Sequence, residues 1–297
     1  MHNARIRHQR IAVNNHRYVH AVIHEPLTDC MVPTIVCESG LGLSRFMWSR
    51  IIPPLVCAGT RVVVYDRAGM GHSPFAIHER NIDNLTGDLQ SVIEKTAPQG
   101  AIGVGHSYGG LIVRNLADSC PHLVKAIVLV DPSTEKVLTE TTPIFRFLDA
   151  IIQKVMEGIY ALGAGPLVVL GMGYWRLPKP IRKQALRTDG AYFAAKSRKF
   201  ELNDYAKTLS TLAENPLKPP AIPVILVAAK ASAKAATTQA YTHFVNSIPG
   251  AKLTWARTNS HMVPIVDPRS VIEAIRWATC RAYCHGSTCE CPSDNPR

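Results

Sequence analysis

The chain has 297 residues, of which 46% are hydrophobic and 19% are charged, so it can bury one large core and is not expected to be disordered. Its formal net charge of +11 would suit nucleic acid, anionic lipid or acidic ligands. No helix-turn-helix, zinc-finger or aromatic RNA-binding pattern accompanies the basic residues, and residues 1–25 lack the apolar stretch of a secretory signal, so we expect a cytoplasmic protein with no nucleic-acid partner.

Strands and helices alternate along the first half of the chain. The predicted strands are residues 10–13 and 18–24, on either side of the turn signal Asn14-Asn15, and then residues 34–38, 61–65, 101–104 and 125–130. The predicted helices are residues 82–96 and 108–119, and a short helix over residues 45–57 is expected to be broken by Pro53-Pro54. This alternation is typical of a mostly parallel sheet with helices on both faces.

The alternation breaks after residue 131. Residues 132–203 have a helical, apolar pattern interrupted by glycines, and regular alternation then resumes with helices 204–214, 235–247 and 268–282 and strands 224–229 and 252–256. We therefore predict an α/β fold with a core over residues 1–131 and 204–282, a helical cap or lid over residues 132–203, and a cysteine-containing tail over residues 283–297.

The predicted cap is more apolar than one packing face requires. Core packing is the first explanation of this pattern, and an acyl channel or a lid in contact with lipid is the second. The most apolar stretch, residues 159–175, is short for a membrane span and rich in glycine. The apolar residues of the cap are Ile144, Phe145, Phe147, Leu148, Ile151, Ile152, Val155, Met156, Ile159 and residues 167–170.

The segment Gly105-His106-Ser107-Tyr108-Gly109 lies between a predicted strand and a predicted helix. Glycines on either side of Ser107 permit a sharp turn that exposes its hydroxyl at the carboxyl end of the strand. The amino end of the following helix would stabilise a nearby negative charge. The segment therefore predicts a nucleophilic serine.

This segment resembles the nucleophile elbow of the α/β-hydrolase superfamily, and three other segments resemble that superfamily in the same chain order. They are Ser39-Gly40-Leu41-Gly42 (the oxyanion loop, with serine in place of the usual histidine), Tyr65-Asp66-Arg67-Ala68-Gly69-Met70-Gly71-His72-Ser73, and Asn259-Ser260-His261-Met262. The resemblance covers about residues 10–282. It implies that Ser107 is the nucleophile, that His261 is its general base, and that the backbone N–H groups of Leu41 and Tyr108 form the oxyanion hole. No metal or organic cofactor is implied.

The acid of the expected triad is absent from its usual place. In most relatives it follows the strand matched by residues 224–229, but no Asp or Glu occurs between Glu214 and Asp267. Asp131, at the end of the preceding strand, is our candidate for the acid. The alternatives are that Asp131 caps the start of the cap region, that Glu135 is the acid, or that the site is a Ser-His dyad or a defective triad.

Other polar residues have structural explanations. We expect His106 to support the elbow, Asp66 and Arg67 to form a salt bridge, and Asp267 to cap the last helix. His20 and His24 alternate along an early strand and are expected to face solvent. Cys280, Cys284, Cys289 and Cys291, with His285 among them, could bind zinc, form two disulfides or remain reduced, and we favour the reduced state and predict no metal site.

These patterns favour an enzyme that cleaves a moderately hydrophobic carboxylic ester through an acyl-serine intermediate. Other Ser-His-acid chemistries of the superfamily, including lactonases, C–C hydrolases and aminopeptidases, remain alternatives, as does a non-catalytic protein that binds a hydrophobic ligand. The cap would provide any peripheral membrane contact.

Overall fold

A computed structural model describes residues 4–13, 17–27, 33–133, 154–233 and 235–283. Its centre is an eight-stranded sheet in the order β1-β2-β4-β3-β5-β6-β7-β8, in which β1–β2 and β2–β4 pair antiparallel and the other pairs are parallel. The strands are β1 (Ala4–Val13), β2 (Arg17–Pro26), β3 (Thr34–Glu38), β4 (Val62–Asp66), β5 (Ala101–His106), β6 (Val124–Val130), β7 (Val224–Ala228) and β8 (Lys252–Trp255). The predicted α/β fold with a mostly parallel sheet is confirmed.

Helices cover both faces of this sheet. The described helices are α1 (Ile52–Cys57), α2 (Ile82–Thr96), α3 (Tyr108–Ser119), α4 (Lys154–Ala161), α5 (Gly165–Gly171), α6 (Lys179–Thr188), α7 (Tyr192–Glu214), α8 (Ala235–Asn246), α9 (Val263–Val266) and α10 (Pro268–Tyr283). One apolar core joins α1 and α10 to the sheet, and a second joins α2, α3 and α8 to its other face. Because the central strands are buried on both sides, they are almost continuously apolar, as in β6 with the sequence VKAIVLV.

The helical segments near the prolines and in the cap differ from the prediction. Pro53 and Pro54 lie in the first turn of α1, where backbone N–H groups have no partner within the helix. A proline there costs no hydrogen bond, so these two residues begin a helix instead of breaking one. A short 3₁₀ helix, Arg45–Trp48, precedes it. The helix predicted over residues 204–214 is the second half of α7, because no glycine or proline interrupts residues 192–214.

The hairpin of β1 and β2 is longer than predicted, and its histidines are not simply exposed. The side chain of His20 is 13% exposed, with Nδ1 3.7 Å from Oδ2 of Asp66. Burial lowers the pKa of His24 to about 4. The expectation that both histidines face solvent was therefore wrong, because the 3₁₀ helix and the loop after β4 pack beside β2.

The helices α4 to α6 and the first part of α7 occupy the sequence interval predicted to be the cap. In the described ranges no single helix is long and apolar enough to cross a membrane, although α4 and α5 meet the length and composition criteria as a pair bent by 117°. The limits of the cap and core remain a prediction. Asn14-Asn15, Glu135, residues 144–152, Cys284, His285, Cys289 and Cys291 lie outside the described residues.

Cys280 is the member of the cysteine cluster that the structure describes. It is buried in α10 and is disulfide-bonded. The expectation of a reduced cluster was therefore wrong for this residue, which favours the disulfide alternative.

Candidate active site

Ser107 occupies a sharp turn between β5 and α3. Its backbone has φ 52° and ψ −120°, a strained combination for a residue with a side chain. Neighbouring backbone leaves no room for side chains on the adjacent glycines: a Cβ on Gly105 would lie 2.5 Å from the carbonyl oxygen of Gly109, and a Cβ on Gly109 would lie 2.4 Å from that of Glu38. The close packing of β5, α3 and the end of β3 thus holds Ser107 at the carboxyl edge of the sheet.

His261 and Asp131 meet at the same edge of the sheet. The Nδ1 atom of His261 lies 2.6 Å from Oδ2 of Asp131, so an Nδ1–H would donate to the carboxylate and leave Nε2 free to accept a proton. Asp131 follows β6 and His261 follows β8, and parallel strands bring these loops together. Asp131 itself has a positive φ of 42°.

Two further donors fix the carboxylate of Asp131. Oδ1 accepts a hydrogen bond from the N–H of Ala229 at 2.9 Å, and Oδ2 accepts one from the hydroxyl of Ser232 at 3.0 Å. Burial opposes the charged carboxylate, but the hydrogen bonds from His261, Ala229 and Ser232 hold the pKa of Asp131 below its ordinary value. The loop that carries the acid in most relatives therefore supplies donors to Asp131 instead.

His106 supports the loop that carries His261. The Nε2 atom of His106 lies 2.8 Å from the backbone oxygen of His261, and the two imidazole rings are 4.6 Å apart. Burial, reinforced by the neighbouring His261, lowers the pKa of His106 to about 3, so its ring is neutral and its Nε2–H donates to this carbonyl. His106 thereby holds the backbone of the loop that contains His261, which we call the histidine loop (residues 259–262).

The side chain of His261 is 54% exposed, which leaves its ring accessible from solvent. Ser107 and His261, both described, form no hydrogen bond with each other. Such catalytic contacts are often long before substrate binds. The structure thus brings Asp131 and His261 together, and it places Ser107 on an adjacent loop without a direct hydrogen bond to the imidazole.

The two backbone N–H groups predicted to form the oxyanion hole are unused among the described residues. Among the described residues, neither the N–H of Leu41 nor that of Tyr108 donates a hydrogen bond, although neighbouring N–H groups of Gly42, Leu43 and Gly110 do. Unsatisfied donors of this kind can stabilise a developing oxyanion. Ser39, in place of the usual histidine, accepts a hydrogen bond from the indole of Trp48 at 3.0 Å and donates one to the backbone oxygen of Ser44 at 3.3 Å.

A buried ion cluster supports the loop of residues 39–42. Arg67 donates to the backbone oxygens of Ser39 and Gly40 at 2.7 and 2.6 Å and pairs with the carboxylates of Glu38 and Glu201. Glu201, on α7, also accepts the N–H of Gly42 at 2.8 Å. The guanidinium therefore links the loop to both the sheet and the cap helix.

The two carboxylates of this cluster differ in pKa. Burial raises the pKa of Glu38 to about 7, although Arg67 and the hydroxyl of Tyr65 stabilise its charged form. Burial also opposes charge on Glu201, but Arg67 and Arg80 hold the pKa of that carboxyl below its ordinary value.

The expected salt bridge between Asp66 and Arg67 is absent, because their side chains contact different partners. Asp66 pairs with Arg45 and accepts the backbone N–H groups of Arg45 and His72 at 2.9 and 3.0 Å. Asp267 caps α10 as predicted, since its carboxylate accepts hydrogen bonds from the N–H and the hydroxyl of Ser270.

A cleft of about 760 Å³ lies between the cap and the histidine loop. Its walls include Met172, Trp175 and Arg176 from the cap and Ser260 and Met262 from beside His261. Among the residues that the structure describes, no group of three or more His, Cys, Asp or Glu side chains is arranged to hold a metal ion.

The supporting roles of Ala229, Ser232 and Glu201 are not predicted from the sequence. An N–H and a hydroxyl directly after β7, where an acid was sought, could have indicated donors to an acid on the neighbouring strand. Glu201 gives no local signal, because its partner Arg67 is 134 residues away.

The amino-acid sequence is similar to those of known hydrolases. Residues 33–168 match the family described as alpha/beta hydrolase fold. An AB hydrolase superfamily protein of Bacillus subtilis, YfhM, is 30% identical over 115 residues, which are 38% of this chain and 40% of that protein. Bifunctional esterase/perhydrolase DCH of Acinetobacter calcoaceticus is 32% identical over 113 residues, 37% of this chain and 41% of that protein. Bifunctional epoxide hydrolase 2 of Sus scrofa is 30% identical over 125 residues, 39% of this chain and 22% of that protein.

Solved structures extend the likeness over the whole fold. A variant of an epoxide hydrolase from Solanum tuberosum superposes with a TM-score of 0.71 at 17% identity, covering 91% of this chain and 98% of that one. The enol-lactonase from Burkholderia xenovorans superposes with a TM-score of 0.59 at 22% identity, covering 90% and 98%. The sequence matches to YfhM and the esterase/perhydrolase span only about two fifths of those proteins, and the likeness to the solved structures is one of fold.

Proposed function

Because the chain belongs to the α/β-hydrolase superfamily, we propose that it is a serine hydrolase that cleaves a moderately hydrophobic carboxylic ester through an acyl-serine intermediate. Ser107 is the nucleophile, His261 the general base and Asp131 the acid of the proposed triad. The observation that carries this proposal is the 2.6 Å contact between Nδ1 of His261 and Asp131, at the sheet edge where the strained elbow presents Ser107.

In the first half of the reaction, Oγ of Ser107 attacks the ester carbonyl carbon while Nε2 of His261 removes the hydroxyl proton. The ionised Asp131 stabilises the imidazolium that forms. The N–H groups of Leu41 and Tyr108 donate to the oxyanion of the tetrahedral intermediate. The intermediate collapses when the C–O bond to the alcohol breaks, and His261 gives the proton to the leaving alkoxide.

In the second half, water replaces the alcohol. His261 removes a proton from water, the resulting hydroxide attacks the acyl carbon, and Ser107 leaves as the alcohol after it regains the proton from His261. The exposure of the imidazole, with 54% of the side chain accessible, supports this step because water can reach the ring.

The nucleophile favours acyl transfer over epoxide opening. The resemblance to the superfamily implies an aspartate nucleophile in its epoxide hydrolases, at the position where this chain has Ser107. The hydrogen bond between Asp131 and His261 also argues against a binding protein without catalysis, since ligand binding requires no such hydrogen bond.

The test is hydrolysis of p-nitrophenyl esters from acetate to palmitate by the wild type, Ser107→Ala and a matched control, Ser119→Ala. Ser119 is an exposed serine at the end of α3, far along the helix from the elbow. We expect Ser107→Ala to lose about 10⁴-fold or more in kcat with unchanged stability, and Ser119→Ala to keep the wild-type rate. The chain length with the highest kcat/KM reports the size of the acyl site.

A fluorophosphonate probe gives a second readout that needs no knowledge of the substrate. It should label Ser107 in the wild type and leave Ser107→Ala unlabelled, with the modified peptide identified by mass spectrometry. A folded wild type that neither hydrolyses any of the esters nor reacts with the probe would contradict the proposal and favour ligand binding. Labelling without hydrolysis would retain the nucleophile but exclude a simple esterase.

A further inference from the structure

The bend between α4 and α5 exposes large apolar side chains to solvent. We call Lys154 to Gly171, which contains both helices and the turn between them, the cap corner. Leu162 in the turn is 88% exposed, Leu167 in α5 is 70% exposed and Val155 in α4 is 55% exposed. Because a fold with two well-formed cores does not need exposed leucines, this surface is more apolar than stability requires.

The exposed positions lie along both helices and the turn between them. Val155 is in α4, Leu162 follows seven residues later in the turn, and Leu167 and Gly171 are four residues apart on one side of α5. A Cβ added to Gly158, Gly163 or Gly171 would meet no atom within 4 Å. The described part of the chain therefore leaves open space along both helices, and their bend of 117° places Leu162 in the turn at the corner.

The charge of the surrounding cap is strongly positive. Residues 154–203 contain nine Lys or Arg and three Asp or Glu, a net charge of +6 out of the +11 of the whole chain. Two of the three acids, Asp189 and Glu201, are buried, and the third, Glu157, pairs with Lys199 at 2.7 Å. Within residues 154–203, most of the solvent-facing charge is thus cationic.

Lys154 and Arg176 show how charge and apolar surface adjoin. Lys154 is exposed directly before Val155. Arg176 lies over the ring of Trp175, which is 56% exposed, at 4.4 Å from the ring centroid. Apolar side chains with adjacent basic groups match the boundary between acyl chains and anionic headgroups.

We propose that the cap corner docks on the surface of an anionic lipid bilayer, with Val155, Leu162 and Leu167 inserted at the boundary between headgroups and acyl chains. Basic side chains of the cap attract the anionic headgroups, and insertion of the three apolar side chains then removes them from water. Lipid fits better than nucleic acid because exposed aliphatic side chains have no partner on a phosphate backbone. The proposal is independent of the chemistry of Ser107.

Docking would also orient the cleft beside His261. Gly171 ends the cap corner, and residues 171–173, Trp175 and Arg176 form one wall of that cleft. A protein docked by this corner would therefore present the histidine loop close to the membrane surface, where esters of hydrophobic acids concentrate.

The test is flotation of the full chain with vesicles of phosphatidylcholine alone or of phosphatidylcholine mixed with phosphatidylglycerol. The test variant is Leu162→Ser/Leu167→Ser. The matched control is Leu27→Ser/Ile77→Ser, which removes two leucine-sized side chains that are 62% and 79% exposed outside the cap. We expect the wild type to float with the mixed vesicles, to bind less at high salt, and to bind the neutral vesicles weakly.

The test variant should lose about tenfold or more in partition coefficient, and the control should bind like the wild type. Both pairs lie at exposed positions, so circular dichroism and hydrolysis of a short soluble ester should be unchanged. Failure of the wild type to float with mixed vesicles at low salt would overturn the proposal, as would equal binding by the test variant or an equal loss in the control. Sedimentation velocity tests the alternative that a second copy of the chain covers the cap corner. A wild type that is a dimer and binds no vesicles, together with a test variant that is a monomer, would support that alternative and overturn the proposal.

Discussion

The two sides of the Ser107 hydroxyl are held by different kinds of interaction. On the histidine side, His261 is half exposed and a single hydrogen bond of 2.6 Å joins its ring to Asp131. On the oxyanion side, residues 39–42 are fixed by Arg67, which is 2% exposed and lies between Glu38 and Glu201. A proton must move on the first side during the proposed reaction, whereas donors on the second must stay where charge develops. We therefore expect substitutions on the histidine side to reduce rate and substitutions on the oxyanion side to reduce stability.

The largest expected effect is on the histidine side. In Asp131→Asn, the amide can donate toward Nδ1 of His261 and favours the tautomer whose Nε2 already carries a proton. We expect kcat for p-nitrophenyl esters to fall about 10³- to 10⁴-fold, with a loss of stability of roughly 1–2 kcal/mol from weakened hydrogen bonds. Steady-state kinetics and urea unfolding measure the two effects.

Asp267→Asn is the matched control for this comparison. Asp267 lies on the same side of the fold and caps α10, but it contacts Ser270 and the N–H of Arg257 instead of His261. It should keep a rate close to that of the wild type. If Asp131→Asn also kept that rate while Ser107→Ala was inactive, Asp131 would not be the acid.

The largest expected loss of stability is on the oxyanion side. Arg67→Met leaves the carboxylates of Glu38 and Glu201 buried without their shared cation, which should lower the free energy of unfolding by about 3–5 kcal/mol. Arg187→Met, at an exposed position on α6, should change it by less than about 0.5 kcal/mol. Urea unfolding followed by tryptophan fluorescence measures both.

Arg67→Lys covers the case in which Arg67→Met does not fold. A lysine keeps the charge but cannot reproduce the two hydrogen bonds to Glu201 together with those to Ser39 and Gly40. Its stability should lie between those of Arg67→Met and the wild type. Wild-type stability in both variants would show that the ion cluster does not hold the oxyanion loop.

The same division explains how far the sequence predicts this site. Ser107, Asp131 and His261 each follow a strand of a parallel sheet, and strand ends that share an edge can be identified from strand–helix alternation alone. Asp131 is predicted as the acid because no Asp or Glu occurs between Glu214 and Asp267. The hydrogen bonds from Ala229 and Ser232 to Asp131 depend on the path of the loop after β7, which alternation does not specify.

The support of the oxyanion loop could not be predicted in the same way. Glu201 comes from a cap helix whose position depends on packing between distant segments, and α7 was itself predicted only in its second half. Asp66 and Arg67 are adjacent in sequence, so a mutual salt bridge was the simplest expectation. Consecutive residues of an extended segment point in opposite directions, and each therefore meets different partners.

The smallest expected effect is a pH-dependent change in stability that distinguishes Glu38 from Glu201, the two carboxylates paired with Arg67. Burial raises the pKa of Glu38 to about 7, above the value of about 4.3 for an exposed glutamate. Between these two pH values the folded state holds the proton more tightly, so the stability that Glu38 contributes is present at low pH and is lost as pH rises toward 7. Glu38→Gln resembles the protonated form at every pH. Its unfolding free energy relative to the wild type should therefore increase by on the order of 2 kcal/mol from about pH 5 to about pH 8.

Glu201→Gln is the control, because a carboxyl with a lowered pKa stays ionised throughout this window. The difference in unfolding free energy between Glu201→Gln and the wild type should therefore stay constant. A constant difference for Glu38→Gln as well would mean that Arg67 keeps both carboxylates ionised, and that the two differ only in position.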